Sequence, residues 1–327
     1  MPRPTAILRL MRPGDWTKNS FVLLAFVFWA ANAVRLQDGG DLVAAKAWLA
    51  FLAFAAFCLV SSGFYCLNDA IDAGKDRAHP VKCRRPVASG AVSVPAAVAI
   101  GLGLVVGALA VASLANGGLV VAVALYGGIQ VAYNLGLKRV AFVDVTTIAT
   151  GFALRAAAGA VAIDVRISVW LVLCVFFLCL YLGFIKRTCD LVSAERAGSA
   201  WRSPAGYHGR AELEWLLGVS AVLTAMMYLS YTLSDHAFAA FGSRATGLAL
   251  LTPLVLVAIH RFWRRAHEGS SDSPLDALRG DRVVLAAIAV FTALLGVVLF
   301  SPDAERILDR VFLQQVERPA PTVDGAP

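Results

Sequence analysis

Nine runs of apolar residues, most of them close to twenty residues long, alternate along the chain with short polar and charged segments. An α-helix rises ~1.5 Å per residue, so a run of about twenty residues matches a hydrocarbon core of ~30 Å. The runs predict nine transmembrane helices: Phe21–Val34, Ala44–Leu67, Val92–Leu114, Leu119–Tyr133, Val140–Val161, Ile167–Ile185, Leu213–Tyr231, Thr246–Ile259 and Val283–Phe300. We therefore expect an all-α, polytopic membrane protein with one domain, residues 1–327.

Both ends of the chain differ from these runs. Thr5–Met11 alternates apolar residues with Arg9, a pattern that predicts a short interfacial helix within an N-terminal segment, residues 1–18. Residues 301–327 contain Pro319 and Pro321, and we predict an extracytoplasmic, partly disordered tail there.

The composition agrees with a membrane protein. Hydrophobic residues make up 59% of the chain and charged residues only 16%, whereas soluble domains carry roughly 25% charged residues. This excludes a soluble enzyme, a disordered chain and a disulfide-stapled secreted domain. The six cysteines form no C-x-x-C pair and lie mostly in apolar runs, so they are expected to be small buried side chains (Cys58, Cys66, Cys83, Cys174, Cys179 and Cys189).

The positive charges predict the orientation of the helices. With nine spans, 21 Lys and Arg fall on the side of the N-terminus and seven on the opposite side, while one lies within a span. Cytoplasmic loops are enriched in Lys and Arg, so the N-terminus is predicted to be cytoplasmic and the C-terminus extracytoplasmic in the cell (inner) membrane. The same bias accounts for the net charge of +7 without a nucleic-acid partner.

The segment after the second run contains an acidic motif. If the helix continues beyond the apolar residues, Asn68, Asp72 and Asp76 recur every four residues on one face, with Asp69 beside them. Stacked carboxylates repel one another and call for a counter-ion. Mg²⁺ suits such a site because it takes few protein oxygens and completes its shell with water and substrate phosphates. Asp69, Asp72 and Asp76 are therefore candidate magnesium ligands.

A basic run follows the acidic motif and includes Lys82 and Arg85. These side chains are candidate phosphate ligands a short distance from the metal site. The alternative interpretation is a solvated helix end flanked by positive charges that set the topology. His79 lies in the same segment, where a positioning role is more plausible than acid–base chemistry.

Two further loops are predicted on the same side of the membrane. The loop after the sixth run begins with Lys186 and Arg187 and continues to Asp190 and Glu195, and the loop after the fourth run follows Tyr133 with Lys138 and Arg139. Taken alone, the basic pairs are typical topology signals. Beside the acidic motif they favour a shared anion pocket, in which Tyr133, Lys138, Lys186 and Arg187 are candidate phosphate ligands. Lys18 in the N-terminal segment is a further candidate phosphate ligand.

Arg155 is the single basic residue placed within a span. A charge at membrane depth is costly unless it is paired or faces a wet cavity, so a functional role in phosphate binding is the first hypothesis. A structural pair with Asp144 or another acidic residue is the alternative.

With the acidic motif placed after the second of nine spans, the chain resembles the UbiA prenyltransferase superfamily from Arg12 to about Phe300. Within it, the chain is most similar to the decaprenyl-phosphate 5-phosphoribosyltransferases. Three segments carry this closer similarity: residues 11–19 (MRPGDWTKN), residues 76–90 (DRAHPVKCRRPVASG) and residues 183–187 (GFIKR). The resemblance implies a helical bundle with a cytoplasm-facing active site that contains Asn68 and the three aspartates.

The resemblance also implies a reaction. A Mg²⁺-dependent enzyme of this kind transfers 5-phosphoribose from phosphoribosyl diphosphate to a polyprenyl phosphate in the bilayer, for cell-envelope polysaccharide synthesis. Typical superfamily members carry a second motif, D-x-x-x-D, after the sixth span. This chain departs from that pattern because Lys186 and Arg187 open the segment and only Asp190 and Glu195 follow. Fewer metal ligands and more phosphate ligands suit a donor with an additional 5-phosphate.

Three alternatives remain open at this stage. The first is a prenyltransferase that moves an allylic group onto an aromatic or other acceptor. The second is a transporter, which the concentration of unusual residues at one face disfavours. The third is an inactive homologue, which the intact aspartates disfavour. The sequence does not determine the acceptor length, a possible homo-oligomer, or whether Asp190 and Glu195 hold a second metal.

Overall fold

A computed structural model describes residues 4–36, 40–79, 81–166, 168–196, 198, 205–268 and 281–312. Within these ranges all regular secondary structure is helical. The α-helices are α1 (Pro4–Met11), α2 (Leu24–Leu36), α3 (Gly40–Arg77), α4 (Val94–Ser113), α5 (Gly117–Leu135), α6 (Val143–Ala162), α7 (Val169–Arg196), α8 (Arg210–Thr232), α9 (Asp235–Phe241), α10 (Arg244–Ala249), α11 (Thr252–His267), α12 (Arg282–Phe300) and α13 (Pro302–Phe312). The all-α fold predicted from the apolar runs is confirmed.

Eight helical segments of the described chain are long and apolar enough to cross a membrane, and they correspond to predicted spans two to nine. The first predicted span differs, because residues Pro13–Leu23 form a 3₁₀ segment and only the 13 residues of α2 are α-helical. Pro13 stands in the first turn of that segment, directly after the left-handed backbone of Arg12. At ~2.0 and ~1.5 Å per residue, the two segments together cover roughly 40 Å of chain.

Two spans continue well beyond their apolar runs. The helix α3 extends through the acidic motif to Arg77, as the four-residue spacing of the motif anticipated. The helix α7 extends to Arg196, so the segment with Lys186 and Arg187 is helical and the prediction of a loop there is wrong. The eighth run is divided into α10 and α11, and Pro253 lies in the first turn of α11, where a missing N–H is tolerated.

The chain ends also form helices. The predicted N-terminal helix is present as α1. In the predicted tail, Pro302–Phe312 forms the amphipathic helix α13, whose Leu308 is buried against α10 and whose Glu305 lies 3.1 Å from Arg244. The final residues, 313–327, lie outside the described residues.

Small residues bring the membrane helices together. A Cβ at Gly63 would lie 2.8 Å from the carbonyl oxygen of Gly101, so α3 and α4 pack backbone to backbone. A Cβ at Gly159 would lie only 1.8 Å from the carbonyl oxygen of Val22. This contact holds the 3₁₀ segment against α6. In a bilayer such close approach is a main source of helix association, since lipid tails are as apolar as the side chains.

The buried side chains form two main clusters. One lies among α3, α4, α5 and α6, and the other among α6, α7 and α8. The helix α6 contributes to both and is the central element of the bundle. Large apolar side chains on the outer surface, among them Trp48, Leu102, Val106 and Leu125, are exposed as expected for contact with lipid. The six cysteines are not joined by disulfide bonds, and four of them are buried.

Candidate active site

The acidic motif lies on the last turns of α3. Asp69 and Asp76 are buried, with 2% and 5% of their surface exposed, while Asn68 and Asp72 are half-buried. The helix therefore turns two carboxylates inward and leaves the other two polar side chains nearer to its exposed side. The predicted continuation of the helix is confirmed, and it brings the motif to one end of the bundle.

Two arginines from distant parts of the sequence neutralise the buried carboxylates. The Arg12 guanidinium lies 2.5 Å from Asp69 Oδ1. The Arg85 guanidinium bridges the motif, at 3.3 Å from Asp69 Oδ1 and 2.8 Å from Asp76 Oδ2. Arg12 and Arg85 retain 29% and 31% of their side-chain exposure, so both remain accessible to solvent.

The local backbone conformation positions Arg12 beside Asp69. Its φ of 53° is in the left-handed region, which is uncommon for a residue with a Cβ and here ends α1. The carbonyl of Met11 accepts a 2.8 Å hydrogen bond from Ser62 Oγ, and Trp16 Nε1 donates to the same hydroxyl at 3.0 Å. These bonds fasten the N-terminal segment to α3. The guanidinium of Arg12 also stacks 4.9 Å above the ring of Tyr65.

The donor set of the motif fits Mg²⁺ chemistry. Asp69 Oδ2 is buried and has no hydrogen-bond partner among the described residues, and Asp72 forms no ion pair there. Within the same residues, no three His, Cys, Asp or Glu side chains converge closely enough to hold a metal ion by themselves. An ion at this place would therefore need oxygens from a substrate phosphate, which is the way Mg²⁺ is usually bound.

A basic cavity of about 760 Å³ adjoins the motif. Its lining carries four cationic side chains and a single carboxylate: His79, Val81, Lys82, Arg84, Arg85, Lys186 and Asp190. Arg85 belongs to both the cavity and the acidic cluster. His79 shapes the rim, because its Nδ1 accepts hydrogen bonds from the backbone N–H groups of Val81 and Lys82. The excess of positive charge is suited to a phosphorylated molecule.

A second Asp–Arg cluster lies deeper, between α6 and α7. Asp144 is fully buried, and its Oδ2 accepts a 2.9 Å hydrogen bond from Arg187 Nε and lies 2.8 Å from a second nitrogen of the same guanidinium. The Tyr207 hydroxyl donates to the other oxygen at 2.5 Å and accepts from the backbone N–H of Phe142. Burial and the bond to Asp144 raise the pKa of the Tyr207 hydroxyl above its ordinary value. The cluster ties α6, α7 and the segment before α8 together.

Arg155 is buried in the bundle and is bound by neutral groups. Its guanidinium donates to Asn19 Oδ1 at 2.8 Å, to the Tyr126 hydroxyl at 2.8 Å and to the carbonyl of Gly151 at 3.0 Å. The rings of Tyr126 and Phe152 lie 4.5 and 4.9 Å from it. The alternative pair with Asp144 is wrong, because Asp144 binds Arg187 instead.

The remaining candidates are distributed around this end of the bundle. Lys18 lies 2.5 Å from Asp15, and Lys138 lies 3.3 Å from Asn134 Oδ1. The Tyr133 side chain interacts with Arg187. Lys186 lies on the wall of the basic cavity.

The two acidic residues considered for a second metal are both engaged by cations. Asp190 lies 3.6 Å from Lys186 and from Arg187. Glu195 is paired with Arg210. The site-residue roles predicted from the sequence otherwise stay predictions.

Sequence reasoning missed several residues of these clusters. Arg12 and Asn19 lie in a segment that carries the family resemblance, but the sequence assigns neither of them a partner, and it assigns Tyr207 no role. One signal for Asp144 was present, since an isolated carboxylate at the start of an apolar run requires a partner. Nothing in local spacing indicates that the partner is Arg187, 43 residues away.

The model of the UbiA prenyltransferase family matches residues 20–283, which is most of the chain. The chain belongs to this family. It is therefore a multi-pass membrane protein with a transferase fold, and the superfamily predicted from the acidic motif is confirmed.

Relatives and solved structures refine the family assignment. A decaprenyl-phosphate phosphoribosyltransferase of Mycolicibacterium smegmatis is 34% identical over 68% of this chain and 69% of its own length. Its counterpart in Mycobacterium tuberculosis is 30% identical over 89% of this chain and 93% of its own. A UbiA homologue of Archaeoglobus fulgidus, solved with GPP and Mg²⁺, shares the fold with a TM-score of 0.63 and 18% identity. This alignment covers 89% of this chain and 99% of that one.

Proposed function

We propose that the chain transfers 5-phosphoribose from phosphoribosyl diphosphate to a polyprenyl phosphate and releases diphosphate. The proposal rests on one observation: the acidic cluster and the basic cavity adjoin each other, and Arg85 belongs to both. A donor that combines a diphosphate with a second, separate phosphate has the charge distribution that this junction would accept. The names of the mycobacterial relatives support the same reaction.

The acidic cluster is proposed to bind the diphosphate end of the donor. Asp69, Asp72 and Asp76 would hold Mg²⁺, with Asn68 as a neighbouring polar ligand. Bound there, the metal supplies electrostatic stabilisation of the leaving diphosphate. Arg12 and Arg85 lie within hydrogen-bond distance of the same carboxylates and are accessible, so they are placed to contact phosphate oxygens as well.

The basic cavity is proposed to bind the 5-phosphate. Lys82, Arg84 and Lys186 line it. A charge-assisted hydrogen bond is roughly twice as strong as a neutral one, so two or three such contacts would select a donor with this additional group. Arg187 has its guanidinium committed to Asp144, which favours a structural role, and its predicted contact with phosphate stays a prediction.

The proposed reaction needs no general base. The bond between the anomeric carbon and the diphosphate oxygen breaks, and a new bond forms between that carbon and an oxygen of the lipid phosphate. A phosphate monoester has a second pKa near ~6, so this oxygen is already largely deprotonated at neutral pH. The ring oxygen of ribose would share the positive charge that develops as diphosphate leaves, and the nearby carboxylates would favour that charge.

The pairing of Asp190 and Glu195 with cations supports a sugar donor over an allylic donor. Asp190 lies 3.6 Å from Lys186, and Glu195 is paired with Arg210. An allylic diphosphate has no additional phosphate that the cations of the basic cavity would bind. The assay is therefore designed to distinguish the proposed reaction from that of a prenyltransferase.

The test uses the purified full-length chain with Mg²⁺. One reaction contains labelled phosphoribosyl diphosphate and polyprenyl phosphate, and a parallel reaction contains an allylic diphosphate and an aromatic acceptor. We expect label in the lipid phase of the first reaction and stoichiometric release of diphosphate. Prenylation in the second reaction without transfer in the first would overturn the proposal.

A further inference from the structure

A second, smaller cavity lies between α5 and α6 at the end of the bundle that carries the basic cavity. It has a volume of about 190 Å³ and is open to the surroundings of the protein. Its walls are formed by the last turns of α5, the first turns of α6 and the connection between them: Ile129, Ala132, Leu137, Thr146, Thr147 and Thr150. Both helices are long and apolar enough to cross a membrane, so the open side of the groove is one that lipid would contact.

The lining of the groove is mainly apolar, although it includes three threonines. Thr147 Oγ1 donates to the carbonyl of Val143 at 2.6 Å, and Thr150 Oγ1 donates to the carbonyl of Thr146 at 2.9 Å. Thr146 Oγ1 is buried beneath the surface of the groove. The threonine hydroxyls are therefore bonded to their own helix or inaccessible, and the surface that remains suits a hydrocarbon chain.

Two cationic side chains, Lys138 and Arg139, follow the groove residue Leu137 at the end of the bundle. Lys138 and Arg139 belong to the short 3₁₀ turn Leu137–Arg139, which continues from Leu137 on the wall of the groove. Lys138 Nζ contacts the amide oxygen of Asn134, and neither cation forms an ion pair with a described carboxylate. Arg12, Arg85, Arg187 and Arg210, from the same end of the bundle, all have carboxylate partners.

The groove is connected to the proposed donor site through neighbouring residues. Tyr133 follows Ala132 of the groove wall, and its side chain interacts with Arg187. Arg187 follows Lys186, which lines the basic cavity. The segment before α8 also lies close, since a Cβ at Gly206 would be 4.0 Å from the carbonyl oxygen of Arg139. A lipid phosphate at this turn would therefore be near the donor.

We infer that this groove is the docking site of the polyprenyl phosphate acceptor, with part of the isoprenoid chain between α5 and α6 and the phosphate on Lys138 and Arg139. The inference rests on the proposed function for the identity of the lipid. A phosphate monoester carries a charge of about −1.5 to −2 at neutral pH, which two adjacent cations match. A membrane phosphodiester carries one negative charge and two acyl chains.

The size of the groove also favours a single chain. Cavities that enclose drug-sized ligands measure roughly 300–1,000 Å³, and this groove has 190 Å³. It holds a short stretch of one hydrocarbon chain, while the rest of a long isoprenoid remains in the bilayer. The acceptor would thus be held at its phosphate end, which is the end that reacts.

A binding experiment tests the site independently of turnover. A polyprenyl phosphate with a diazirine on the isoprene units nearest the phosphate is photolysed with the full-length protein in phosphatidylcholine nanodiscs. We expect cross-links within residues 129–137 and 146–150, competed by unlabelled polyprenyl phosphate and not by phosphatidylglycerol. Cross-links located elsewhere, or equal competition by phosphatidylglycerol, would contradict a selective acceptor site.

A kinetic experiment tests the two cations. The Lys138→Ala/Arg139→Ala double variant should raise the KM for polyprenyl phosphate about a hundredfold, because each of the two lost charged contacts is worth roughly one order of magnitude. The donor KM should change much less. Arg264→Ala, which removes an exposed cation on α11, is the control. An unchanged acceptor KM in the double variant would overturn the inference.

The two proposals fail separately. If the wild-type protein cross-links polyprenyl phosphate in the groove but transfers nothing from phosphoribosyl diphosphate, the docking site stands and the proposed reaction is wrong. If transfer occurs while the groove is not labelled and the double variant behaves as the wild type, the reaction stands and the acceptor binds elsewhere.

Discussion

Two clusters of aspartate and arginine lie near each other at one end of the bundle and differ in their access to solvent. At the end of α3, Arg12 and Arg85 are about one-third exposed and reach buried carboxylates from outside. Between α6 and α7, Arg187 is 12% exposed and holds Asp144, which is fully buried. A solvent-accessible arginine is able to exchange a carboxylate for a phosphate at little cost in free energy. In a buried ion pair each charge has lost its hydration, and only the attraction of its partner offsets that cost.

This difference in exposure indicates which charged side chains are available for binding or catalysis and which stabilise the fold. Both clusters contain the residue types expected of a phosphate or metal site, so composition alone does not separate them. Exposure and hydrogen bonding separate them, since Asp69 Oδ2 has no hydrogen-bond partner in the described part of the chain whereas both oxygens of Asp144 are bonded. Substitutions in the first cluster should therefore reduce activity, and those in the second should reduce stability.

The largest effect is expected from Arg187→Ala. This change leaves the buried carboxylate of Asp144 without its cation, and breaking a buried pair costs about 3–5 kcal/mol. Equilibrium unfolding in mild detergent measures the loss. Arg264→Ala, which breaks a half-exposed pair with Glu268, is the matched control and should cost less than ~1 kcal/mol.

A second control separates the ion pair from general damage. Replacing both partners, Arg187→Met together with Asp144→Leu, should recover much of the stability, because apolar side chains of similar volume often replace a buried pair at no loss. Equal stability of Arg187→Ala and Arg264→Ala would show that the deep cluster is not structural.

Asp72→Asn should lower kcat/KM by at least ~10²-fold, the loss observed when a group that stabilises developing charge is removed. Asp72 is half-buried and forms no ion pair among the described residues, so the amount and melting temperature of the variant should match the wild type. Asp303→Asn, an exposed change on α13, provides the control. Near-normal turnover at unchanged Mg²⁺ would remove Asp72 from the proposed metal site.

Tyr207→Phe should destabilise the protein by about 1–3 kcal/mol. The change deletes the hydroxyl that donates to Asp144 and accepts from the backbone N–H of Phe142, so a buried carboxylate and a partly buried N–H group each lose a partner. Tyr231→Phe is a matched control, because that hydroxyl has no hydrogen-bond partner in the described part of the chain. The melting temperatures of the two variants give the comparison, and identical values would contradict the role assigned to Tyr207.

The smallest effect concerns a third carboxylate, Asp281, which lies before α12. Burial raises its pKa, but hydrogen bonds from Arg261 and from the backbone N–H groups of Val284 and Val283 outweigh burial and hold the pKa below its ordinary value. A lowered folded-state pKa gives stability that is present above the unfolded value of about 3.9 and is lost as pH falls through the folded one.

Asp281→Asn should therefore lower the melting temperature at neutral pH and reduce the further loss that acidification causes. This difference is measured by melting curves at pH 7, at about pH 4 and at lower pH. The curves are recorded for the wild type, for Asp281→Asn and for the control Asp303→Asn. Parallel losses in all three proteins on acidification would show that Asp281 is not responsible for the pH dependence.

The sequence predicted those parts of the structure that depend on local spacing. Hydrophobic runs located the spans, and the recurrence of Asn68, Asp72 and Asp76 predicted that α3 continues beyond the membrane. The same reasoning did not extend α7 to Arg196, because the polar residues after Ile185 have no comparable spacing. The 3₁₀ form of residues 13–23 was also missed, since a run of apolar side chains does not distinguish helix types.

Long-range pairing was the part that could not be predicted. Arg155 was identified as requiring a partner, but Asn19 lies 136 residues away and is neutral. Arg12 and Asp69 are 57 residues apart, and their contact depends on the left-handed backbone of Arg12. Such contacts follow from the packing of complete helices, which no local pattern specifies.

The length of α3 has a consequence for where the proposed reaction takes place. Its 38 residues extend about 57 Å, nearly twice the ~30 Å of a hydrocarbon core. A helix of this length has room to carry its acidic turns beyond the hydrocarbon core, at the level of the lipid headgroups. In the proposed reaction, the water-soluble sugar phosphate and the phosphate of the lipid would meet there without leaving their own phases, and the rate should respond to the thickness of the bilayer.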